Sequence, residues 1–133
     1  MRLVAEKMLT SPFKGRLPEP GDVVVIDPER DMRVMLSPRA EDPRVVGVMS
    51  TDPFIIANPL LKDGAAIGVM GVVRCKVEAR NHPIQRGDML CTSDIPGYGM
   101  KSISLKNGTI FGKALQNLQE GLGEIYVAAN MSI

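Results

Sequence analysis

Residues 86–88 read Arg-Gly-Asp, an adhesion tripeptide of the kind that integrins bind, and Ser93 and Asp94 follow shortly downstream. A serine beside an aspartate could form a catalytic or self-cleaving pair, and Ser50 with Asp52 offers a second such pair. The alternative is turn chemistry, because glycine accepts positive φ while aspartate and serine cap backbone N–H groups. The elements that position these residues decide between the two interpretations, and they favour turn capping.

The other chemically capable side chains lack partners at a useful spacing. His82 is the single histidine, so it cannot build a histidine metal cluster, and the sequence supplies no base or orienting residue for it. Cys75 and Cys91 lie in apolar surroundings without CxxC spacing, which predicts free buried thiols and leaves a disulfide as the alternative. The sequence therefore predicts no catalytic, cofactor-binding or metal-binding residue.

Residues 65–73 carry spaced glycines that superficially suggest a phosphate-binding loop. The segment has the pattern of a strand and opens no helix, so it lacks the helix N-terminus that would hold an anion. The same segment could line a pocket, and a small-ligand-binding β-barrel is therefore one alternative function.

The composition is that of a single globular domain and excludes several partners. The 133 residues are 44% hydrophobic and 23% charged. The 16 Lys and Arg nearly balance the 15 Asp and Glu without runs of like charge, which argues against nucleic acid and membrane partners. The apolar stretches are too short to span a bilayer, and residues 1–15 lack the apolar region of a signal peptide, so the compartment stays unassigned.

The periodicity predicts an all-β domain. Short β-branched runs bounded by Gly, Pro, Asp and Asn recur about every 8 to 12 residues, as in β sandwiches and barrels. The predicted strands include residues 23–26, 32–36, 44–49, 65–79 and 122–133. Only residues 115–121 could instead form a helical turn.

The long alternating segment 65–79 needs a bend. A straight strand of this length would extend about 50 Å, which is more than a domain of this size accommodates. Gly68 and Gly71 are the predicted sites of a bend or bulge, through which one continuous strand serves two sheets.

An internal repeat connects the Arg-Gly-Asp segment to a second turn. The pairs Gly21-Asp22 and Gly87-Asp88 lie 66 positions apart, and each precedes an apolar strand, an acidic turn with proline, and two further strands. Pro20 stands in the first copy where Arg86 stands in the second, so the shared feature is a Gly-Asp turn.

The repeat also predicts the domain organisation. Two related three-strand units, about residues 21–49 and 87–114, lie within one β domain of residues 20–133, after a lead-in segment of residues 1–19. The expected fold is an all-β, compact sandwich or barrel built from these two units, with long bent connecting strands.

Over roughly residues 20–131 the chain resembles the C-terminal module of phage tail appendages and related bacterial surface proteins. The resemblance lies in the order of glycine turns and strands in GDVVVID, RVVGVMSTDP, AAIGVMGVVRCKV, PIQRGDMLCTSDIPGYGMK and GTIFGKALQNLQEGLGEIYV. It implies an intramolecular chaperone, self-cleaving in some members, that trimerises and helps a fibrous partner to assemble.

The expected function is that of a non-enzymatic structural or assembly module of phage-tail or surface-fibre type. It would form a homo-oligomer, with a trimer as the state that the resemblance implies, and a fibrous or tail protein would be its further partner. The resemblance places it in a virion or at a cell surface. A self-cleaving chaperone domain is the other alternative. Strands such as residues 23–26 carry apolar residues on both faces, which is a second argument for self-association.

Overall fold

The structure is a computed structural model that describes residues 4–50, 55–57 and 64–130. Its described residues form ten β-strands and no helix, which confirms the all-β fold class. The strands are β1 (Val4–Thr10), β2 (Val23–Ile26), β3 (Arg33–Leu36), β4 (Val45–Ser50), β5 (Ile55–Ala57), β6 (Ala65–Ala79), β7 (Met89–Thr92), β8 (Gly99–Lys101), β9 (Ile110–Ala114) and β10 (Gly121–Asn130).

The strand pairings form two closed rings of five strands that share β6. One ring, here called barrel 1, contains β1, β3, β2, β4 and residues 65–70 of β6. The other ring, barrel 2, contains residues 70–79 of β6 together with β8, β7, β9 and β10. Strand β5 pairs in parallel with β1 outside the first ring. Ring closure leaves few unpaired strand edges.

Strand β6 serves both barrels, as the alternating pattern predicts. Its first part pairs with β1 and β4, and its second part pairs with β10 over its whole length. Gly71 lies where the strand passes from one barrel to the other, and its φ of 113° is open to glycine at little cost. Gly68 does not have a positive φ. It lies where β4 passes very close to β6, so close that a Cβ on Gly47 would lie 2.3 Å from the Gly68 carbonyl oxygen.

The two predicted three-strand units have the same strand pairing and the same register. Strand β2 lies between β3 and β4, and β7 lies between β8 and β9, with all neighbours antiparallel. Equivalent pairs are Val24 with Leu36 and Leu90 with Lys101, then Val25 with Met35 and Cys91 with Met100. Each central strand also has a register shift at the same place, after Val24 and after Leu90.

The repeat extends beyond the predicted three strands to all five strands of each barrel. Strand β1 pairs antiparallel with the first part of β6, and the second part of β6 pairs antiparallel with β10. The pair Ala5–Gly68 in barrel 1 thus corresponds to the pair Val72–Ala128 in barrel 2, with Ala5 equivalent to Val72 and Gly68 equivalent to Ala128. The segment 1–19, expected to be a lead-in, therefore contains the first strand of barrel 1.

Equivalent positions fill the two interiors. The interior of barrel 1 consists of Met8, Val24, Val34, Val46, Met49, Ala65, Ile67 and Val69. Their counterparts in barrel 2 are Cys75, Leu90, Gly99, Phe111, Ala114, Ile125, Val127 and Ala129. Gly99 occupies the position that corresponds to Val34 in barrel 1. The Phe111 ring fills the space of a side chain there, because a Cβ on Gly99 would lie 2.7 Å from the ring.

The outward face of barrel 1 packs against barrel 2 within the same chain. Val23, Val45 and Val48 belong to the core cluster that also contains the interior of barrel 2. Val23 and Val25 are fully buried as a result, and Val24 is fully buried in the interior of barrel 1. The two apolar faces of residues 23–26 therefore do not by themselves require a second chain, contrary to the sequence argument for self-association.

Two further segments complete the comparison with the sequence. Residues 115–120 form bends and an isolated bridge in which Leu118 pairs with Ile84, and Gly121 begins β10, so the segment contains no helical turn. The predicted last strand, 122–133, corresponds to β10, and residues 131–133 lie outside the described residues.

Candidate functional site

The Arg-Gly-Asp segment forms the predicted Gly-Asp turn. Gly87 has a φ of 92°, and the Asp88 carboxylate accepts a 2.8 Å hydrogen bond from the backbone N–H of Gln85. The first copy has the same geometry: Gly21 has a φ of 94°, and the Asp22 carboxylate accepts a 2.8 Å bond from the Glu19 N–H. Two copies with different preceding residues and identical geometry indicate a structural role for the pair.

We expect Arg86→Ala to leave the free energy of unfolding within about 0.5 kcal/mol of the parent value, because Arg86 is exposed in a turn. Gly87→Val should cost roughly 2 kcal/mol, because a β-branched residue is strained at positive φ even though a Cβ would meet no atom within 4 Å. Urea denaturation of both variants measures the difference. Equal tolerance would contradict a conformational requirement for glycine at this turn.

Ser93 and Asp94 lie in a charged cluster at the end of β7. The Ser93 hydroxyl donates a 2.6 Å hydrogen bond to Glu78 and accepts a 3.1 Å bond from the Ile95 N–H. Arg80 donates to Glu78 at 2.9 Å and also pairs with Asp94. Burial raises the pKa of Glu78, but its hydrogen bonds from Arg80 and Ser93 outweigh this effect, so that the pKa is lowered overall.

Ser93 caps a turn that recurs in barrel 1, and its hydroxyl is not an accessible nucleophile. In barrel 1, Asp27 occupies the position of Ser93, and Ser11 occupies the position of Glu78. The carboxylate therefore caps the turn in barrel 1, whereas the hydroxyl caps it in barrel 2. Asp27 accepts a 2.9 Å bond from the backbone N–H two residues on, as Ser93 does. This bond from the Glu29 N–H is the main cause that lowers the pKa of Asp27. Ser93 is fully buried, and Glu78, the carboxylate to which it donates, is a weak base because its pKa is lowered. The Asp94 carboxylate, 3.4 Å from the Ser93 hydroxyl, is held in an ion pair with Arg80.

Only the serine of the second serine–aspartate pair lies among the described residues. Ser50 is the last residue of β4 and lies opposite Ala66 of β6. Asp52 lies outside the described residues. The pair therefore contributes no geometry to the candidate site.

Both cysteines are free and buried, as predicted. Burial raises the pKa of the Cys75 thiol far above its usual range and raises the pKa of Cys91 to about 11. Because the thiolate is the reactive form, neither thiol is a ready nucleophile at neutral pH.

A groove of about 330 Å³ lies beside His82, which is exposed. Its lining residues are Glu41, Glu78, Asn81, His82, Met100, Lys101, Ile103 and Ser104. Ser104 donates a hydrogen bond to Glu41 across it. The glycine-rich segment 65–73 does not line this groove; its Ile67 is fully buried inside barrel 1.

An ion-pair cluster centred on the buried Asp22, which the sequence did not reveal, joins the two barrels. Asp22 is fully buried and accepts hydrogen bonds from Arg16 at 2.8 and 3.0 Å. Lys76 of β6 lies 3.0 Å from Asp22 and 2.6 Å from Glu19. Gly97 packs so closely on this carboxylate that a Cβ would lie 2.4 Å from it. The cluster stabilises the contact between barrels and has no free group for catalysis.

The outward face of barrel 2 bears a second groove, of about 650 Å³. Met89, Leu105 and Ile110 form its apolar part, while Lys106 and Lys113 place positive charge along it. Met89 is 40% exposed and Leu105 is 55% exposed. We refer to this surface as the barrel 2 groove. It is the clearest candidate binding surface among the described residues.

A second exposed apolar surface lies on barrel 1. Ile26, at the end of β2, is 52% exposed, and Met32, in the turn before β3, is 69% exposed. Glu29 and Asp31 are exposed in the same turn. We refer to residues 26–32 as the barrel 1 turn. The sequence predicted this turn but gave no sign that its apolar side chains point outward.

Comparison of the sequence with protein families and curated proteins finds no relative. No family model matches the chain, and no curated protein matches its sequence. Within residues 4–50, 55–57 and 64–130, no cluster of His, Cys, Asp and Glu is arranged to hold a metal ion. The same residues include no helix of the length and hydropathy needed to cross a membrane.

Proposed function

We propose that the protein is a non-enzymatic structural module that assembles with copies of itself into a trimer, in an assembly of phage-tail or surface-fibre type. The observation that carries the proposal is the exposure of large apolar side chains on the outward surfaces of both barrels. They include Ile26 and Met32 on barrel 1, and Met89, Ile103 and Leu105 on barrel 2. Met89 and Leu105 lie together along the barrel 2 groove, and clustered exposed apolar side chains are typical of surfaces that bind another protein.

The rest of the molecule is consistent with a structural role. The candidate nucleophiles Ser93, Cys75 and Cys91 are buried, and Ser93 caps a turn. The net charge is +1, so long-range repulsion between copies is small. The three-fold state and the fibrous partner come from the resemblance to tail-appendage modules.

Light scattering or sedimentation velocity at low protein concentration tests the proposal. We expect a mass of three times the 14.4 kDa of one chain. A monomer would overturn self-association, and a dimer would retain self-association but reject the trimer. Closed rings are the usual outcome for soluble assemblies of identical chains.

The self-cleaving alternative is tested separately by the intact mass of the purified chain after long incubation. A chaperone domain that cuts itself would yield two fragments, whereas the structural module keeps the full mass. Ser93→Ala serves as the control, because cleavage that persists in this variant would not depend on the Ser93 hydroxyl.

A further inference from the structure

The contact between the two barrels in one chain joins two different surfaces. Barrel 1 contributes its outward face, where the N–H of Val23 donates to the Gly97 carbonyl at 2.8 Å and Ser37 accepts from the Gly97 N–H at 3.1 Å. Barrel 2 contributes the turn that follows β7, including Gly97. Nearby, the Asp42 N–H donates to the Thr92 hydroxyl at 2.8 Å. The hydrogen-bonded part of the contact is therefore face to turn, and its apolar part joins Val23, Val45 and Val48 to the core of barrel 2.

The repeat shows that each of these surfaces has a second, unused copy. The outward face of barrel 1 corresponds to the barrel 2 groove, because Val23 and Val45 are equivalent to Met89 and Ile110. The turn of barrel 2 corresponds to the barrel 1 turn, because Gly97 is equivalent to Met32. Val23 is fully buried whereas Met89 is 40% exposed. One chain thus uses half of its repeated contact surfaces.

We propose that the barrel 2 groove of one copy binds the barrel 1 turn of a second copy, repeating between chains the face-to-turn contact that joins the barrels within a chain. The inference rests on the proposed self-assembly and names its interface. A contact between unlike surfaces propagates from copy to copy, and it ends in a ring when the rotation closes. Three copies would then place six similar barrels around one axis.

The two surfaces are complementary in charge and hydrophobicity. Glu29 and Asp31 are exposed in the barrel 1 turn, where the charge of Arg30 is paired with Asp27, and Lys106 and Lys113 lie along the barrel 2 groove. Met32 is an apolar side chain that can enter the apolar part of the groove. Complementary charge steers such an encounter, and burial of the apolar centre stabilises the contact.

The backbone at both surfaces is also unusual for the residues present. Met32 has a φ of 59° and Leu105 has a φ of 52°, although both are large apolar side chains. Such residues are rare in the left-handed region, where glycine, asparagine and aspartate are favoured. Within one chain both side chains point largely into solvent, so burial in the same chain does not account for them. An apolar contact with a second copy would account for both side chains.

The contact between chains differs in one respect from the contact within a chain. Gly97 lets barrel 2 approach barrel 1 backbone to backbone, since a Cβ there would lie 2.4 Å from Asp22. Met32 at the equivalent position needs room for a side chain. The groove of about 650 Å³ supplies that room on barrel 2.

The test uses two variants that each block one surface, Met32→Asp and Leu105→Asp. Aspartate tolerates positive φ better than most residues, so both variants should fold, which circular dichroism and thermal melting check. Leu17→Asp is the matched control, because Leu17 is 55% exposed, as is Leu105, but belongs to neither surface. If either aspartate variant melts early, the corresponding Asn variant replaces it.

We expect each blocked variant alone to be a monomer and the Leu17 variant to assemble like the parent. An equimolar mixture of the two blocked variants should form a 1:1 complex of two chains and stop there, because only one pair of surfaces is intact. Assembly of either blocked variant alone, or a mixture that stays monomeric, would overturn this interface while self-assembly of the parent still stands. A monomeric parent protein would instead remove the proposed function itself.

Discussion

Gly97→Ala is expected to destabilise the fold by about 3 kcal/mol. Gly97 has a φ of 83°, and an added Cβ would lie 2.4 Å from a carboxylate oxygen of Asp22 and 3.0 Å from a methyl group of Leu36. Left-handed backbone costs an L-residue about 1 to 2 kcal/mol, and overpacking adds about 1 to 3 kcal/mol. Asp22 cannot easily retreat, because Arg16 and Lys76 hold it in place.

Gly108→Ala is the matched control for this prediction. Gly108 has a φ of 82°, but a Cβ there would meet no atom within 4 Å. It isolates the backbone cost, which should be about 1 kcal/mol. Urea denaturation of the two variants under the same conditions gives both values. Equal costs would mean that the approach of Gly97 to Asp22 does not limit how the barrels pack.

The sequence predicted most strands because their patterns are local. Alternation along residues 65–79 and the β-branched run at residues 23–26 are properties of neighbouring residues, and the structure places strands at both. The Gly-Asp turns were also predictable, because positive φ at Gly21 and Gly87 is a requirement that few residues meet. The repeat then followed from the order of these local signals.

Strand β1, which the sequence did not predict, shows where local signals fail. Strand β1 has no turn glycine or regular alternation to mark it, and its counterpart is the second part of β6, which is fused to the strand before it. The repeat therefore looked like three strands with a connector. Only the pairings with β3 and β6, which are distant in the sequence, identify β1 as a barrel strand.

The candidate surfaces were hidden for a related reason. Val23 and Met89 are both apolar residues that begin equivalent strands, so local sequence cannot tell that one is buried and the other partly exposed. The difference arises because barrel 2 covers only one of them. Ser93 was read correctly as a capping residue, but its exchange of roles with Glu78 required the structure.

Asp22→Asn is expected to lower the free energy of unfolding by about 3 kcal/mol. Substitution of one member of a buried ion pair leaves its partners without compensation, which typically costs about 3 to 5 kcal/mol. Asp22 is fully buried, and it binds both Arg16 and Lys76, whose side chain is only 14% exposed. Lys76 keeps its contact with Glu19, and Arg16 keeps access to solvent, which places the expected cost at the lower end.

Asp88→Asn is the control that the repeat supplies, since Asp88 occupies the same position in the second Gly-Asp turn. Asn keeps the shape and can still accept the capping hydrogen bond in both variants, so the comparison isolates the charge. The only ion pair of Asp88 among the described residues joins it to Lys101 at 3.6 Å, near the surface, where such pairs contribute about 0 to 1 kcal/mol. Urea denaturation should therefore show a large loss for the first variant and almost none for the second. Similar losses would mean that both aspartates act only as turn caps and that the ion-pair cluster does not hold the barrels together.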